Sequence, residues 1–328
     1  MLLPRRRTTL SAIFALCWLA LPHAQALAQS YPSQAVRIVV GDAAGGVTDL
    51  AARIIAPRLA EALGQPVVVD NRPGGTGAIA AVFVAKSAPD GHTLFLGNNG
   101  SLVMNPVLQP GLLYEPVRDF APVAALSSIP YSLVVHPSSP ARDLNGLLAL
   151  ARAQPGKIAY ATPGNGTIGQ LLGDWIKHQT GTDLSHVPFK GGAAATTAVL
   201  GGHVPAGLLA VSSVTQHVRT GRLRMLGVSS AQRLPFEPDW PTLAEAGAAG
   251  VNASVWLALL APAATPQAVV SRLNTEVNKL LRTPEVREAL NAQGAAVLGG
   301  TPDALSAMVK SETASFTRMA REFNIRLD

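Results

Sequence analysis

The sequence predicts an α/β fold in two lobes, and three observations carry that prediction. Short apolar runs alternate with stretches of helical period along the chain. Twice, a hydrophobic strand runs into a loop of small residues that opens straight into a helix: Val36–Val40 into Gly41–Asp49, and Lys157–Ala161 into Thr162–Thr167. Beyond an N-terminal leader, about 300 residues remain, a length that supports two lobes. A helix start carries unpaired N–H groups and the positive end of the helix dipole, so it attracts an anion. Two such starts, one in each half of the chain, read as two halves of one site.

Residues 1–28 form the leader. Arg5-Arg6-Arg7 is basic, Leu10 to Leu21 is a short apolar run, and Ala26-Leu27-Ala28 sets small residues before a cleavage point at Gln29. This is the pattern of a secretory signal peptide and implies export across the membrane. The single cysteine, Cys17, lies within it, so the mature chain has neither disulfide nor thiol nucleophile. Setting aside the leader's three arginines lowers the formal charge from +6 to +3. That weak bias, with no basic cluster, argues against a nucleic-acid partner. Aromatic residues at 5% argue against a sugar-stacking cleft. No later apolar run reaches the roughly 18 residues of a membrane span, so the mature chain is expected to be soluble.

The elements follow in order. A helix over Thr48–Leu63 starts on a capping residue and stops at Gly64, with Leu50, Ile54, Ile55 and Leu59 on one face. Val67–Val69 is a strand, Arg72–Gly77 a second Gly-rich loop, Ala78–Ser87 a helix, and Thr93–Leu96 a strand that ends in Gly97–Ser101. Tyr131–Val135 reads as a strand, and Asp143–Ala153 as a helix presenting Leu144, Leu147, Leu148 and Ala151. After Thr167, the residues Ile168, Leu171, Leu172, Trp175 and Ile176 share a helical face. His186–Phe189 is a strand feeding Lys190, and Leu223–Val228 is another. Ser254–Leu260 is a long strand, after which the chain turns helical over Pro266–Leu281, Pro284–Ala292 and a last helix opened by Thr301-Pro302-Asp303.

A helical tail cannot bury its apolar stripes alone, so it is placed on the first lobe's sheet. Lobe 1 then comprises residues 29–129 and 254–328, and lobe 2 residues 130–253. The chain crosses twice, near Ser127–Pro130 and near Asn252–Val255. Two crossings side by side make a hinge, and the cleft between lobes is where a ligand sits.

Ordered motifs along the mature chain resemble the Bug family of periplasmic solute-binding proteins, the receptor class of tripartite tricarboxylate transporters. They are Tyr31-Pro32-Ser33, Gly45-Gly46-Val47-Thr48-Asp49, Leu63-Gly64-Gln65-Pro66-Val67-Val68-Val69, Asn71-Arg72-Pro73-Gly74, Ala85-Lys86-Ser87-Ala88-Pro89-Asp90-Gly91, Asn105-Pro106, Asp119-Phe120-Ala121-Pro122-Val123, Gly164-Asn165-Gly166-Thr167, Val187-Pro188-Phe189-Lys190-Gly191, Gly221-Arg222-Leu223-Arg224, Pro241-Thr242-Leu243-Ala244-Glu245-Ala246-Gly247 and Leu260-Ala261-Pro262. The resemblance implies a Venus-flytrap fold, each lobe a mixed sheet flanked by helices, with a β-strand hinge. It also implies capture of a small carboxylate or amino-acid-like solute by main-chain amides, hydroxyls and waters rather than by arginine forks. Transporter subunits or a sensor are the implied partners, and a monomer with no cofactor and no metal the expected state.

The candidate contacts in lobe 1 begin with Asp42, Ala44, Gly45, Gly46 and Thr48, where glycine lets the backbone approach an anion and Thr48 adds a hydroxyl. The alternative is an ordinary strand–helix turn. Asp49, in the first turn, reads as structural because an acid there complements the dipole. Gly75, Thr76, Asn98 and Asn99 stand at strand ends, where open sheets place ligands, although turn chemistry explains the same residues. In lobe 2, Gly164, Asn165, Gly166 and Thr167 form the matching loop, with Thr167 either a cap or a ligand contact. Lys190 either closes over the cleft or is solvated, and Ser212 completes the set. Trp256 either walls the cleft or packs the hinge.

Three departures from the family pattern stand out. Asp42 occupies a position where relatives carry an apolar, often aromatic, residue. In the cleft it would repel a second ligand carboxylate and welcome an ammonium or hydroxyl. Pro205 and Leu209 replace acids common in relatives. An enzyme, such as a periplasmic hydrolase, finds no support: there is no Gly-x-Ser-x-Gly elbow, and His92, His136, His178, His186, His203 and His217 lack metal spacing. A scaffold protein would have no need of paired Gly-rich loops.

Overall fold

The computed structural model describes residues 31–322 except Pro235; the expected leader lies outside the described residues. Lobe 1 opens with β1 (Val36–Val40), α1 (Val47–Leu63), β2 (Val67–Asn71), α2 (Ala78–Ala85) and β3 (Thr93–Asn98). These strands pair in parallel, β2 and β3 flanking β1. Val36, Ile38, Val39 and Val40 are wholly buried, which is why β1 reads as an apolar run broken only by exposed Arg37. Helix α1 turns Ala51, Ala52, Ile55, Ala56, Leu59 and Leu63 inward and ends at Gly64, whose φ of 72° is the left-handed stop the sequence announced. Thr48 does not cap it: the N-cap is Gly46, and the helix begins at Val47.

A short π-type turn (Gly100–Met104) and the one-turn helices α3 (Asn105–Leu108) and α4 (Pro116–Asp119) lead into β4. Strand β4 (Phe120–Val135) is 16 residues long, although only its second part was legible as a strand. Its first part, Phe120–Pro130, pairs antiparallel with β9 (Ser254–Pro262), with bulges between Pro122 and Ala124 and between Ala125 and Ser127. From Tyr131 onward the same strand pairs with β7 (Ala206–Ala210) and β8 (Arg224–Val228). One strand therefore serves both sheets, and the β-strand hinge lies within it.

Lobe 2 contains α5 (Leu144–Ala153), β5 (Ile158–Thr162), α6 (Ile168–Thr180), β6 (Leu184–Pro188), α7 (Gly192–Leu200), β7, α8 (Val211–Arg219) and β8. Asp143 caps α5, its carboxylate accepting the Gly146 N–H at 2.7 Å. Strand β5 lies between β6 and β7, parallel to both.

The chain returns along β9, which joins β3 to β4, and ends in α9 (Gln267–Leu281), α10 (Pro284–Ala292), β10 (Ala296–Val297) and α11 (Pro302–Glu322). Helices α9 and α11 both pack on β4, so the helical tail covers the first lobe's sheet. Its stripe of Val270, Leu273, Val277, Leu280 and Leu281 is buried there, each side chain contributing about 1.5–3 kcal/mol over the exposed state. Thr301 accepts the Ala304 N–H at 3.2 Å and opens α11 as its sequence foretold. Trp256 of β9 turns toward this tail: its indole N–H donates to Glu312 Oε2 at 2.6 Å.

Candidate functional site

The first Gly-rich loop is held by a network of its own. Gly45, at φ 81°, donates its N–H to Asp49 Oδ2 at 2.8 Å. Arg53 clamps the same carboxylate through Nε at 3.0 Å and through its terminal nitrogen at 3.0 Å, and Asn71 Nδ2 adds a bond at 2.9 Å. Burial pushes the Asp49 pKa up, but the bonds from Arg53, Gly45 and Asn71 outweigh it and hold the group below its ordinary value. Asn71 also donates to the Asp42 carbonyl at 3.0 Å. Asp49 is thus a structural residue of the loop.

Asp42 takes the position an external anion would take. Its Oδ2 accepts the Thr48 N–H, in the first turn of α1, at 3.0 Å. Burial raises its pKa, the bonds from Thr48 lower it in part, and the negative charge of Asp49 raises it further. Tyr131, at the point where β4 changes sheets, feels the Asp42 charge as well as its own burial. Thr48 is buried, and its hydroxyl lies 3.4 Å from Asn98 Nδ2, so Asp42, Thr48 and Asn98 form one contiguous wall.

The second loop repeats the first in a neutral form. Gly166, at φ 67°, donates its N–H to Gln170 Oε1 at 2.7 Å, four residues ahead, as Gly45 does to Asp49. Thr167 is the N-cap of α6 but makes no capping bond: its hydroxyl donates to the Gly164 carbonyl at 2.7 Å. No acid stands in the first turn of α6. The β6–α7 connection lies against this loop, with Gly191 N–H bonded to Pro163 O at 2.9 Å, and it brings exposed Lys190 beside it.

The Arg72–Gly77 loop, packed against Gly41 of the first loop, faces the second loop. Thr76 Oγ1 donates to the Asn165 carbonyl at 3.1 Å across the lobes. Thr76 adopts φ 50°, ψ 44°, a left-handed conformation costly for a β-branched residue. Buried Asn105 holds the turn by donating to the Gly75 and Thr76 carbonyls at 2.8 and 3.2 Å. Gly100 sits at the same junction: a side chain there would strike Thr76 Cγ2 and Asn98 Oδ1 and come to 3.8 Å from the Gly166 carbonyl.

The structure thus gathers Asp42, Thr48, Gly75, Thr76 and Asn98 of lobe 1 opposite Gly164, Asn165, Gly166 and Thr167 of lobe 2. Ala44, Gly45 and Gly46 continue the first loop, Ala44 and Gly45 being exposed. Asn99 is turned to the hinge, where Nδ2 donates to Ser254 O at 2.9 Å and Oδ1 is buried without a partner. Ser212, at the start of α8, lines an apolar crevice with Val47, Leu50 and Ile54 of α1 and Leu290 and Gln293 of the tail. Asn71 and Asn105 shape the loops yet were not among the expected contacts, though both head quoted motifs, Asn71-Arg72-Pro73-Gly74 and Asn105-Pro106. Among the described residues, no three His, Cys, Asp or Glu side chains gather as a metal site, and no helix is long and apolar enough to cross a membrane.

Residues 51–325 match the model of the tripartite tricarboxylate transporter family receptor. The chain belongs to this receptor family. Among its relatives, BugT of Bordetella pertussis is 35% identical over 92% of this chain and 92% of its own length. Of solved structures, Rpa4515 of R. palustris, determined with adipate, superposes with a TM-score of 0.87 at 34% identity, covering 90% of this chain and 99% of that one. MatC of Rhodopseudomonas palustris, determined with bound malate, gives a TM-score of 0.82 at 32% identity over 88% and 99% of the two chains. The receptor is a two-lobed periplasmic solute-binding protein of this family.

Proposed function

We propose that this receptor captures a small carboxylate-bearing solute between its lobes and presents it to transporter subunits or a sensor in the membrane. The observation that carries the reading is the pair of matched loops, each with a left-handed glycine bonded four residues ahead, with Thr76 of the Arg72–Gly77 loop, which packs beside the first, reaching across the lobes to Asn165 of the second. The solute's carboxylate sits against Gly164–Thr167 and the uncapped start of α6, where amides and the helix dipole complement its charge. Lys190 stands at the rim. The adipate and malate held by two structural neighbours support a carboxylate as the cargo.

In this reading residues 1–28 are a cleaved leader, lobe 1 is 29–129 with 254–328, lobe 2 is 130–253, and the mature protein works as a monomer. Thermal unfolding of the mature protein against a panel of mono-, di- and amino-carboxylates tests the function. A true ligand at one hundred times its Kd stabilises the folded state by about 2.7 kcal/mol. A flat response across the panel, with no carboxylate carried through purification by mass spectrometry, rejects the reading; turnover of a panel compound replaces it with an enzymatic one.

A further inference from the structure

The two helix starts are alike in geometry and unlike in charge. At α6 the loop is neutral, the N-cap side chain makes no capping bond and no acid stands in the first turn. At α1 the anion position is already filled from within, because Asp42 Oδ2 sits 3.0 Å from the Thr48 N–H. Among the described residues, no cation balances Asp42. The nearest arginine along the loop, Arg53, is committed to Asp49 and to Asn71 Oδ1, and Asp49 adds a second negative charge. Asn98 Nδ2 approaches the Thr48 hydroxyl and continues the wall beside Asp42. The lobe 1 wall of the cleft therefore offers acceptors and negative charge, whereas the lobe 2 wall offers N–H donors.

We propose that Asp42 sets the charge of the cargo: the cleft takes a solute with one carboxylate, held by the lobe 2 loop, and a hydrogen-bond-donating or cationic group, an ammonium first of all, facing Asp42. This rests on the proposed carboxylate-binding function and narrows it. Two carboxylates brought together in a cleft of low dielectric repel, and Asp42 has no counter-charge among the described residues to relieve it. An ammonium at the same place pairs with Asp42 while the helix start still holds the carboxylate's other oxygen. The rule separates this receptor from neighbours solved with adipate and malate, both of which can carry two negative charges.

The test uses chain-matched probes that differ only in the far group: 6-aminohexanoate against adipate, and 4-aminobutyrate against succinate. Their Kd values are measured by calorimetry for the wild-type mature protein and for Asp42→Asn. The amide keeps an oxygen for the Thr48 N–H. Asp42→Ser, whose hydroxyl can also accept that bond, serves as the second variant, and circular dichroism checks that both fold. Wild-type protein is expected to bind the amino acid of at least one pair at least tenfold more tightly than the diacid, and both variants to lose or reverse that preference. A wild-type preference for the diacids, or a preference unchanged in the folded variants, overturns the charge rule and leaves carboxylate binding standing. Absence of binding by every carboxylate of the wider panel overturns both.

Discussion

Thr76 concentrates more of the site's physics than any other single residue. Its left-handed backbone costs about 1–3 kcal/mol in a residue that is neither Gly nor Asn. The local structure holds it there through Asn105, whose amide spans the Gly75 and Thr76 carbonyls. In return, the hydroxyl reaches the opposite lobe at Asn165. Strain and cross-lobe contact thus sit on the same residue, and substitution separates them. Thr76→Gly relieves the strain, and the relief roughly offsets the ~0.5–1 kcal/mol entropic cost of glycine, so the melting temperature should hardly move. Affinity for the bound solute should fall severalfold because the lobes lose their bond. Thr76→Ser keeps the hydroxyl and should retain affinity. Equal affinity in the glycine and wild-type proteins would mean that the bond plays no part in the closed form.

At the scale of elements, the start of α1 is a loop that the chain has wired to itself. The Asp49 carboxylate gathers Gly45, Asn71 and both faces of the Arg53 fork, and its depressed pKa carries a pH signature. The folded state holds Asp49 ionised more firmly than the unfolded chain does. Its stabilisation is therefore complete above the free carboxylate range near pH 4 and drains away as pH falls through the lower folded value. Asp49→Ala should cost about 1–3 kcal/mol at neutral pH by stranding the Gly45 and Asn71 donors, and should flatten the acid limb of the stability profile. An acid limb as steep as in wild type would assign that limb to other carboxylates.

This element was legible because its signals are local: a Gly pair, an acid four residues on, and a helical stripe ending at Gly64. The elements that went unread lack such signals. Gly192–Leu200 is built from Ala, Thr and Gly with little apolar contrast between faces, and Ala206–Ala210 is buried throughout, so neither shows a period. Val211–Arg219 follows that strand without a turn residue, its N-cap being Ala210. The first part of β4 hides behind Pro122 and Pro130, which argue against a strand until bulges are allowed for. The candidate loops were found by composition, yet their internal wiring was not. Nothing in Gly-Asp-Ala-Ala-Gly-Gly reveals that Asp42 folds back onto Thr48, because that bond depends on the turn taken between them.

For the whole molecule, the decisive feature is that both connections between lobes pass one buried serine. Ser229 Oγ accepts the Tyr131 N–H at 2.8 Å and donates to the Ala253 carbonyl at 2.5 Å, while the Ser229 backbone bonds both segments again. Tyr131 is where β4 changes sheets, and Ala253 immediately precedes β9. Ser128 and Ser254, whose hydroxyls lie 2.7 Å apart, extend the same clasp, and Asn99 ties it to the end of β3. Lobe motion must therefore bend two strands about a shared set of bonds. Ser229→Ala leaves a buried N–H and C=O without the hydroxyl and should lower stability by about 1–3 kcal/mol. It should also raise the dissociation rate of the bound solute, by about fivefold if ~1 kcal/mol of the loss falls on the closed form. Ser132 supplies the control. Its hydroxyl is equally buried and donates to Leu209 O at 3.0 Å, but both residues lie on the same side of the hinge. Ser132→Ala should lose comparable stability with an unaltered dissociation rate. If the two variants release solute at the same rate, the serine clasp supports the fold without governing the motion.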